Sequence, residues 1–173
     1  IAVTGTNGKT SLTYMLRAIF MRAGYKVGII GTVRNMIGDE VVLDAGLTTP
    51  DPADLYRLLA QMRAQNCEYV FMEASSHALA LNKLCAIPVD TGIFTNLTPD
   101  HLDFHHDMEH YKEAKQKLFA ISRMSLVNMD SPYGTAMAEA AAGRIYRYGI
   151  DSGDTGTEFA AKSVNLLARE GIQ

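Results

Sequence analysis

The chain is predicted to fold as an open, mostly parallel α/β sheet flanked by helices. Two observations lead there. Short, continuous apolar runs of strand length alternate with longer segments whose apolar residues recur every three to four positions. The runs are apolar throughout rather than at every second residue, as strands buried on both faces read. Alternation of this kind is most simply satisfied by right-handed β-α-β crossovers.

The first strand, from Ile1 to Thr4, runs into Gly5-Thr6-Asn7-Gly8-Lys9-Thr10-Ser11. Gly5 and Gly8 permit backbone conformations and close approaches that a Cβ would block. The amides of Gly8, Lys9 and Thr10 open a helix, where unpaired N–H groups and the helix dipole favour an anion. Lys9 can reach terminal phosphates, and the Thr10 hydroxyl can ligate magnesium, so the fold expected is P-loop NTPase-like. The spacing G-x-x-x-x-G-K-[ST] would place glycine at position 3, where Val3 stands. The loop is a variant, T-G-T-N-G-K-T, and the plainer alternative is an ordinary β-to-α turn with a surface lysine.

A helix is expected from Ser11 to Ala23, with an apolar stripe of Leu12, Met15, Leu16, Ile19 and Phe20, ended by Gly24. Lys26 to Thr32 reads as a buried strand, and Val33 to Asp44 as a hairpin with Gly38-Asp39 near its tip. Asp51 as N-cap and Pro52 at the first helical position start a helix that buries Leu55, Leu58, Leu59 and Met62 and ends near Gln65-Asn66. Strands follow at Tyr69–Ala74 and Thr91–Thr95, a helix at Tyr111–Phe119, a strand at Ser125–Asn128, a helix at Gly134–Ala142, and strands at Arg144–Tyr148 and Ser163–Leu167. Because Ile1 already lies in a strand and Gln173 follows one, both ends read as cut within a longer protein.

Composition narrows the class. The 173 residues suit one domain, with 47% hydrophobic and 20% charged residues. A formal charge of −3 gives no electrostatic footprint for nucleic acid. No apolar run approaches the ~20 residues of a membrane span. Cys67 and Cys85 lack C-x-x-C spacing, which argues against a zinc ribbon or a disulfide framework and fits a reducing cytosol.

Four further stretches fall at carboxyl ends of strands, where ligands gather in open α/β sheets. Glu73 closes the run Tyr69-Val70-Phe71-Met72 and is followed by Ala74-Ser75-Ser76-His77. A carboxylate there can hold magnesium, or it is a surface glutamate. Asn96 to Asp107 (N-L-T-P-D-H-L-D-F-H-H-D) reads as a loop crowded with imidazoles and carboxylates, from which His101 is the single expected metal ligand. The absence of H-E-x-x-H argues against a zinc hydrolase. Lys115 falls on the apolar stripe of Tyr111, Ala114, Leu118 and Phe119. Periodicity alone favours a snorkelling ammonium. The alternative is a desolvated amine of lowered pKa, able to form a carbamate with CO2 and so to bind magnesium. Thr48-Thr49-Pro50 offers hydroxyls at a helix start, suited to an anionic substrate or to helix initiation alone.

With these residues in hand, the chain resembles the central ATP-binding domain of the Mur ligases, the enzymes of peptidoglycan precursor synthesis. The resemblance rests on Thr4–Thr10, Thr48-Thr49-Pro50, Glu73-Ala74-Ser75-Ser76-His77-Ala78-Leu79, Thr95–Asp103 and Tyr111-x-x-Ala114-Lys115-x-x-Leu118-Phe119. The first motif alone is shared with folylpolyglutamate synthetase-like ligases. The S-S-H-A-L and T-T-P stretches are most similar to the MurE type, the UDP-N-acetylmuramoyl-tripeptide synthetases. The resemblance implies an ADP-forming amide ligase using ATP and Mg2+, with UDP-N-acetylmuramoyl-L-alanyl-D-glutamate and a diamino acid as substrates, in bacterial cytoplasm. Cell-wall biogenesis, and with it cell shape and division, would depend on it. It implies nucleotide binding by Gly5, Thr6, Asn7, Gly8, Lys9, Thr10, Ser11 and Asn96, and one magnesium on Thr10 and Glu73. His101 and a carbamylated Lys115 would serve a second. Thr48, Thr49, Ser75 and, weakly, Lys83 would meet the nucleotide-peptide substrate. Leu81, Lys83 and Leu47 stand where some members have other residues, so Leu81 is expected to make no substrate contact. Asn128-Met129-Asp130 resembles the family's N-x-D-D region, but Ser131 replaces its second Asp, and no nucleotide role is assigned to Asn128. The family's N-terminal UDP-binding and C-terminal domains are expected outside residues 1–173, so this part alone should bind Mg-ATP weakly without ligase turnover. A P-loop kinase or NTPase, and a non-catalytic nucleotide-binding module, are the competing functions.

Overall fold

The computed structural model describes residues 1–150, 157–161, 166–167 and 171–172. Their elements run β1 (Ala2–Thr4), α1 (Lys9–Arg22), β2 (Val27–Ile30), β3 (Arg34–Ile37), β4 (Glu40–Asp44), α2 (Pro52–Ala64), β5 (Tyr69–Glu73) and α3 (Ser76–Ala80). Then come β6 (Val89–Phe94), α4 (Leu102–His105), α5 (Met108–Ala120), β7 (Ser122–Asn128), α6 (Gly134–Glu139) and β8 (Arg144–Gly149). The short strands β9 (Phe159–Ala160), β10 (Leu166–Leu167) and β11 (Gly171–Ile172) complete the described elements.

Among these residues a nine-stranded sheet has the order β4-β3-β2-β5-β1-β6-β7-β8-β9. Its pairings are parallel from β2 to β9, and antiparallel where the expected hairpin β3–β4 joins β2. β1 is central, pairing Val3 with Glu73 on one side and with Ile93 on the other. That register places the loop after β1, the end of β5 and the end of β6 side by side.

Helix α2 buries Leu55, Leu58 and Met62 as its apolar spacing requires, worth about 1.5–3 kcal/mol each. Met62 packs directly on β2, where a Cβ at Gly28 would come within 2.5 Å of its sulfur. Helix α1 ends in a Schellman motif, with Gly24 at φ +94°, its N–H donating to Met21 and the Tyr25 N–H to Phe20.

Several expectations need correction. The stripe on α1 is split: Met15 and Ile19 are 61% and 62% exposed, and the buried residue of the helix is Thr13, whose hydroxyl returns to Thr10 O. Phe20 carries the packing, edge-on to Tyr69 and Phe71 of β5. Asp51 occupies the N-cap of α2 but its side chain caps nothing, because it is ion-paired at 2.6 Å with Lys83. The segment 96–107 is not all loop but contains α4. The helix expected from Tyr111 starts at Met108, capped by the Asp107 carboxylate on the His110 N–H. The expected strand at 163–167 is a strand over Leu166–Leu167, and residues 163–165 lie outside the described residues. Among the described residues no helix is long and apolar enough to cross a membrane, and both cysteines are free.

Candidate functional site

Gly5 and Gly8 adopt φ of +150° and +86°. A Cβ on Gly5 would collide with Thr95 Oγ1, so glycine is fixed there by the neighbouring strand end as well as by its dihedral. Gly8 is the N-cap of α1 and supplies no side chain. The first amides of a fourteen-residue helix are therefore left to whatever anion lies over the loop.

The loop is held from the end of β6. The Thr6 N–H donates to Asn96 O (2.9 Å) and the Asn7 N–H to Asn96 Oδ1 (2.9 Å), while Asn96 Nδ2 and Thr95 Oγ1 both donate to Asn7 O, at 3.2 and 2.7 Å. Asn96, expected to touch nucleotide, has its amide committed on both sides to the loop backbone. Thr6 Oγ1 lies 3.1 Å from Thr98 O and 3.2 Å from the Tyr111 hydroxyl.

Two lysines converge on this loop. Lys9 Nζ donates to Gly5 O (2.8 Å) and Thr6 O (2.9 Å), and Lys115 Nζ donates to the same Gly5 O at 3.0 Å. Lys115 is 1% exposed, with Nζ 4.5 Å from the centroid of the Tyr111 ring. It does not snorkel. Burial, then the charge of Lys9, push it down to about 7 against an opposing pull from Asp100. Burial lowers Lys9 as well, against the attraction of Glu73 and Asp100.

Glu73 is a buried carboxylate, not a surface one. Its Oε2 accepts from Thr10 Oγ1 (2.8 Å) and Thr32 Oγ1 (3.0 Å), its Oε1 from the Thr32 N–H (2.9 Å). Gly31 makes room for it, since a Cβ there would overlap Glu73 Oε1. Reading 26–32 only as a strand missed Gly31 and Thr32. Their role exists only once Glu73, some forty residues on, is beside them.

The Thr48-Thr49-Pro50 segment lies on the other flank of Glu73. Thr48 Oγ1 is 3.0 Å from Thr32 Oγ1. Thr49 Oγ1 donates to Glu73 O (2.8 Å) and accepts from the Ser75 N–H (3.0 Å). Ser75 in turn caps α3, accepting from the Ala78 N–H at 3.2 Å. Lys83 is occupied by Asp51. Ser11 is exposed on the first turn of α1.

His101 is exposed at the N-cap of α4 with φ +53° and lies 3.5 Å from Asp100 Oδ2. Its ring is 5.0 Å from that of His77 and 6.4 Å from that of Tyr111. His105 is buried, and burial, then the nearby charges of His77, Lys115 and His101, lower it to about 4. Among the described residues no group of three His, Cys, Asp or Glu could hold a metal ion. The Thr10–Glu73 pair nevertheless suits a hard cation, with a hydroxyl and a buried carboxylate oxygen 2.8 Å apart beside the loop.

A cleft of about 640 Å³ opens beyond the ends of β7, β8 and β9, lined by Asn128, Asp130, Tyr148, Ile150 and Phe159. Asn128 Nδ2 donates to Thr95 O at 2.7 Å, so the cleft is tied to the strand end that holds the loop after β1.

A family model for the Mur ligase middle domain matches residues 3–170. The chain belongs to the Mur ligase middle domain family. Among its relatives, the UDP-N-acetylmuramoyl-L-alanyl-D-glutamate–2,6-diaminopimelate ligase of Caldanaerobacter subterraneus subsp. tengcongensis is 47% identical over 151 residues, covering 87% of this chain and 31% of that protein. A solved structure of a ligase of the same name superposes with a TM-score of 0.87 at 26% identity, over 99% of this chain and 35% of the other. A bifunctional folylpolyglutamate synthase/dihydrofolate synthase, solved with Mn, AMPPNP and L-glutamate bound, shares the fold at a TM-score of 0.63 and 23% identity, over 85% of this chain and 42% of the other. The chain thus spans about a third of the length of the relative it matches at 47% identity. In this Mur ligase middle domain, the loop after β1, Glu73 and the Thr48–Thr49 segment are joined by hydrogen bonds at the carboxyl ends of β1, β2 and β5.

Proposed function

We propose that this chain is the ATP-binding part of an ADP-forming amide ligase that joins a diamino acid to UDP-N-acetylmuramoyl-L-alanyl-D-glutamate. The observation that carries the reading is the convergence of Lys9 and Lys115 on Gly5 O, with the Thr10–Glu73 pair on the adjoining strand end. The names of the relatives support the substrates and point to 2,6-diaminopimelate as the amino acid.

On this reading the acceptor's γ-carboxylate oxygen attacks the γ-phosphorus of ATP. The bond to the β–γ bridging oxygen breaks, giving an acyl phosphate and ADP. The amine of the diamino acid then attacks the acyl carbon, inorganic phosphate leaves, and the amine sheds a proton. Both partners in the first step are polyanions, so the protein's contribution is placement and charge neutralisation. Lys9 leaves the carbonyls of Gly5 and Thr6 for the phosphate oxygens, and the amides opening α1 hold the β-phosphate. Magnesium bound by Thr10 and Glu73 would neutralise charge on the transferring group. A second would need His101 and a carbamate on Lys115. The Lys115 amine is a hydrogen-bond donor as it stands, and only its carboxylated form offers oxygen ligands. Thr48, Thr49 and Ser75 border the acceptor, Lys83 contacts it on release from Asp51, and the cleft at Asn128 and Tyr148 accommodates the nucleoside. UDP-binding and closing domains lie outside this chain, and the enzyme works in the bacterial cytoplasm.

The test is ADP release by the intact protein with Mg-ATP, UDP-N-acetylmuramoyl-dipeptide and diaminopimelate. Release that requires the dipeptide and amino acid, with a product mass of one added residue, supports the reading. Release without either, as from a kinase or NTPase, overturns it. Lys115→Ala and Glu73→Ala are expected to lower turnover at least a hundredfold, and full activity in both would mark a non-catalytic nucleotide module.

A further inference from the structure

Thr32 stands just past the end of β2, outside the loop at residues 5–10, and among the described residues makes two of the three hydrogen bonds received by the Glu73 carboxylate. Its N–H serves Oε1 and its hydroxyl serves Oε2, so the carboxylate plane is pinned from both oxygens. A hydroxyl has one proton to give. With that proton on Glu73 Oε2, the 3.0 Å contact with Thr48 Oγ1 must be donated by Thr48. The bonds therefore run in one direction, from Thr48 to Thr32 to Glu73, and each polarises the next. Thr10, arriving on the same Oε2 from α1, is the group a cation would recruit. Its oxygen can ligate the cation through a lone pair while its proton stays on Oε2, so Thr32 supplies the support of the carboxylate that is not itself a ligand.

We propose that Thr32 is a positioning residue that holds Glu73 in place for the cation and links that site to the acceptor-binding segment at Thr48. The proposal rests on the reading of Thr10 and Glu73 as a cation site beside bound nucleotide. Groups behind a ligand typically change metal affinity by about 10–100-fold when removed. Thr32 is exposed, so its hydroxyl can be deleted without opening a core cavity.

Manganese is the probe, titrated in the presence of saturating ADP and followed by the loss of its free electron paramagnetic resonance signal in the intact protein. Thr32→Val keeps the backbone bond to Oε1 and removes only the hydroxyl. It is expected to raise the manganese dissociation constant about tenfold, with the protein still folded by circular dichroism. Thr32→Ser is expected to restore it to within about threefold of the parent. Thr48→Val should have a smaller effect than Thr32→Val, and none when added to it, because both act through one chain of bonds. A Thr32→Val protein that binds manganese like the parent overturns the proposal while leaving the cation site intact. Failure of Thr32→Ser to recover also overturns it, since the hydroxyl would then not be the active feature. A parent protein that binds no manganese with ADP overturns both this proposal and the nucleotide reading beneath it.

Discussion

A lysine amine confined between a tyrosine ring and a backbone carbonyl gains one hydrogen bond and loses nearly all its water. For Lys115 the desolvation wins, leaving the amine near neutrality at about 7 from an ordinary value of 10.5. The unfolded chain therefore binds more protons than the folded one between those two values, and stability should rise with pH across that window. Below about 7 both states carry the proton and the burial cost is present in full. The melting temperature of Lys115→Met is expected to exceed that of the parent most at pH 6, with the gap shrinking by pH 9. A gap independent of pH would place the ammonium in water. The same lowered value leaves a free electron pair for CO2, so the parent incubated with 13C-bicarbonate near pH 8 should show a carbamate carbon resonance absent from Lys115→Arg. Lys115 was legible in the sequence because 111, 114, 115 and 118 share a helical face, and its burial follows that spacing. The choice between a snorkelling and an inward lysine was not legible, because it depends on Gly5 and Tyr111 closing over the amine.

Helices and strands were legible to the extent that packing followed spacing. Helix α2 buries three of the four residues its period selects and half-buries the fourth, Leu59. Helix α1 does not, because its contact with the sheet runs through Phe20 and leaves Met15 and Ile19 outside. Ile19→Lys is accordingly expected to change stability by no more than about 0.5 kcal/mol, whereas Met62→Ala should cost about 2–5 kcal/mol, both read from denaturant midpoints. Short elements such as α4, four residues long, carry too little pattern to be seen. The turn after β2 shows the other limit. Gly31 looks like a strand-end glycine until Glu73 fills the space beside it. Gly31→Ala should displace that carboxylate, weakening manganese binding at least as much as Thr32→Val while leaving α1 and the phosphate loop folded. Retained affinity, measured by the same titration, would show that Glu73 is not the ligand.

Taken whole, the molecule gathers its site from segments that are remote in sequence, and the fold class was legible because alternation of strand and helix admits few topologies. A ligand bound to the native state alone stabilises it by mass action, about 2.7 kcal/mol at a hundred times its dissociation constant. For a chain of this size Mg-ADP should then raise the melting temperature by roughly 5–10 °C, and Lys9→Ala should abolish the shift.

The central place of β1 also governs the order of assembly. Its residues pair with Met72 and Glu73 on one side and with Gly92, Ile93 and Phe94 on the other. The opening strand is the earliest made by the ribosome within this stretch, and it must wait until both neighbours have emerged. Until Thr95 and Asn96 follow, the hydrogen bonds that hold Asn7 are unmade. The loop at residues 5–8 thus takes its final shape only when the strand at 89–94 has docked beside it.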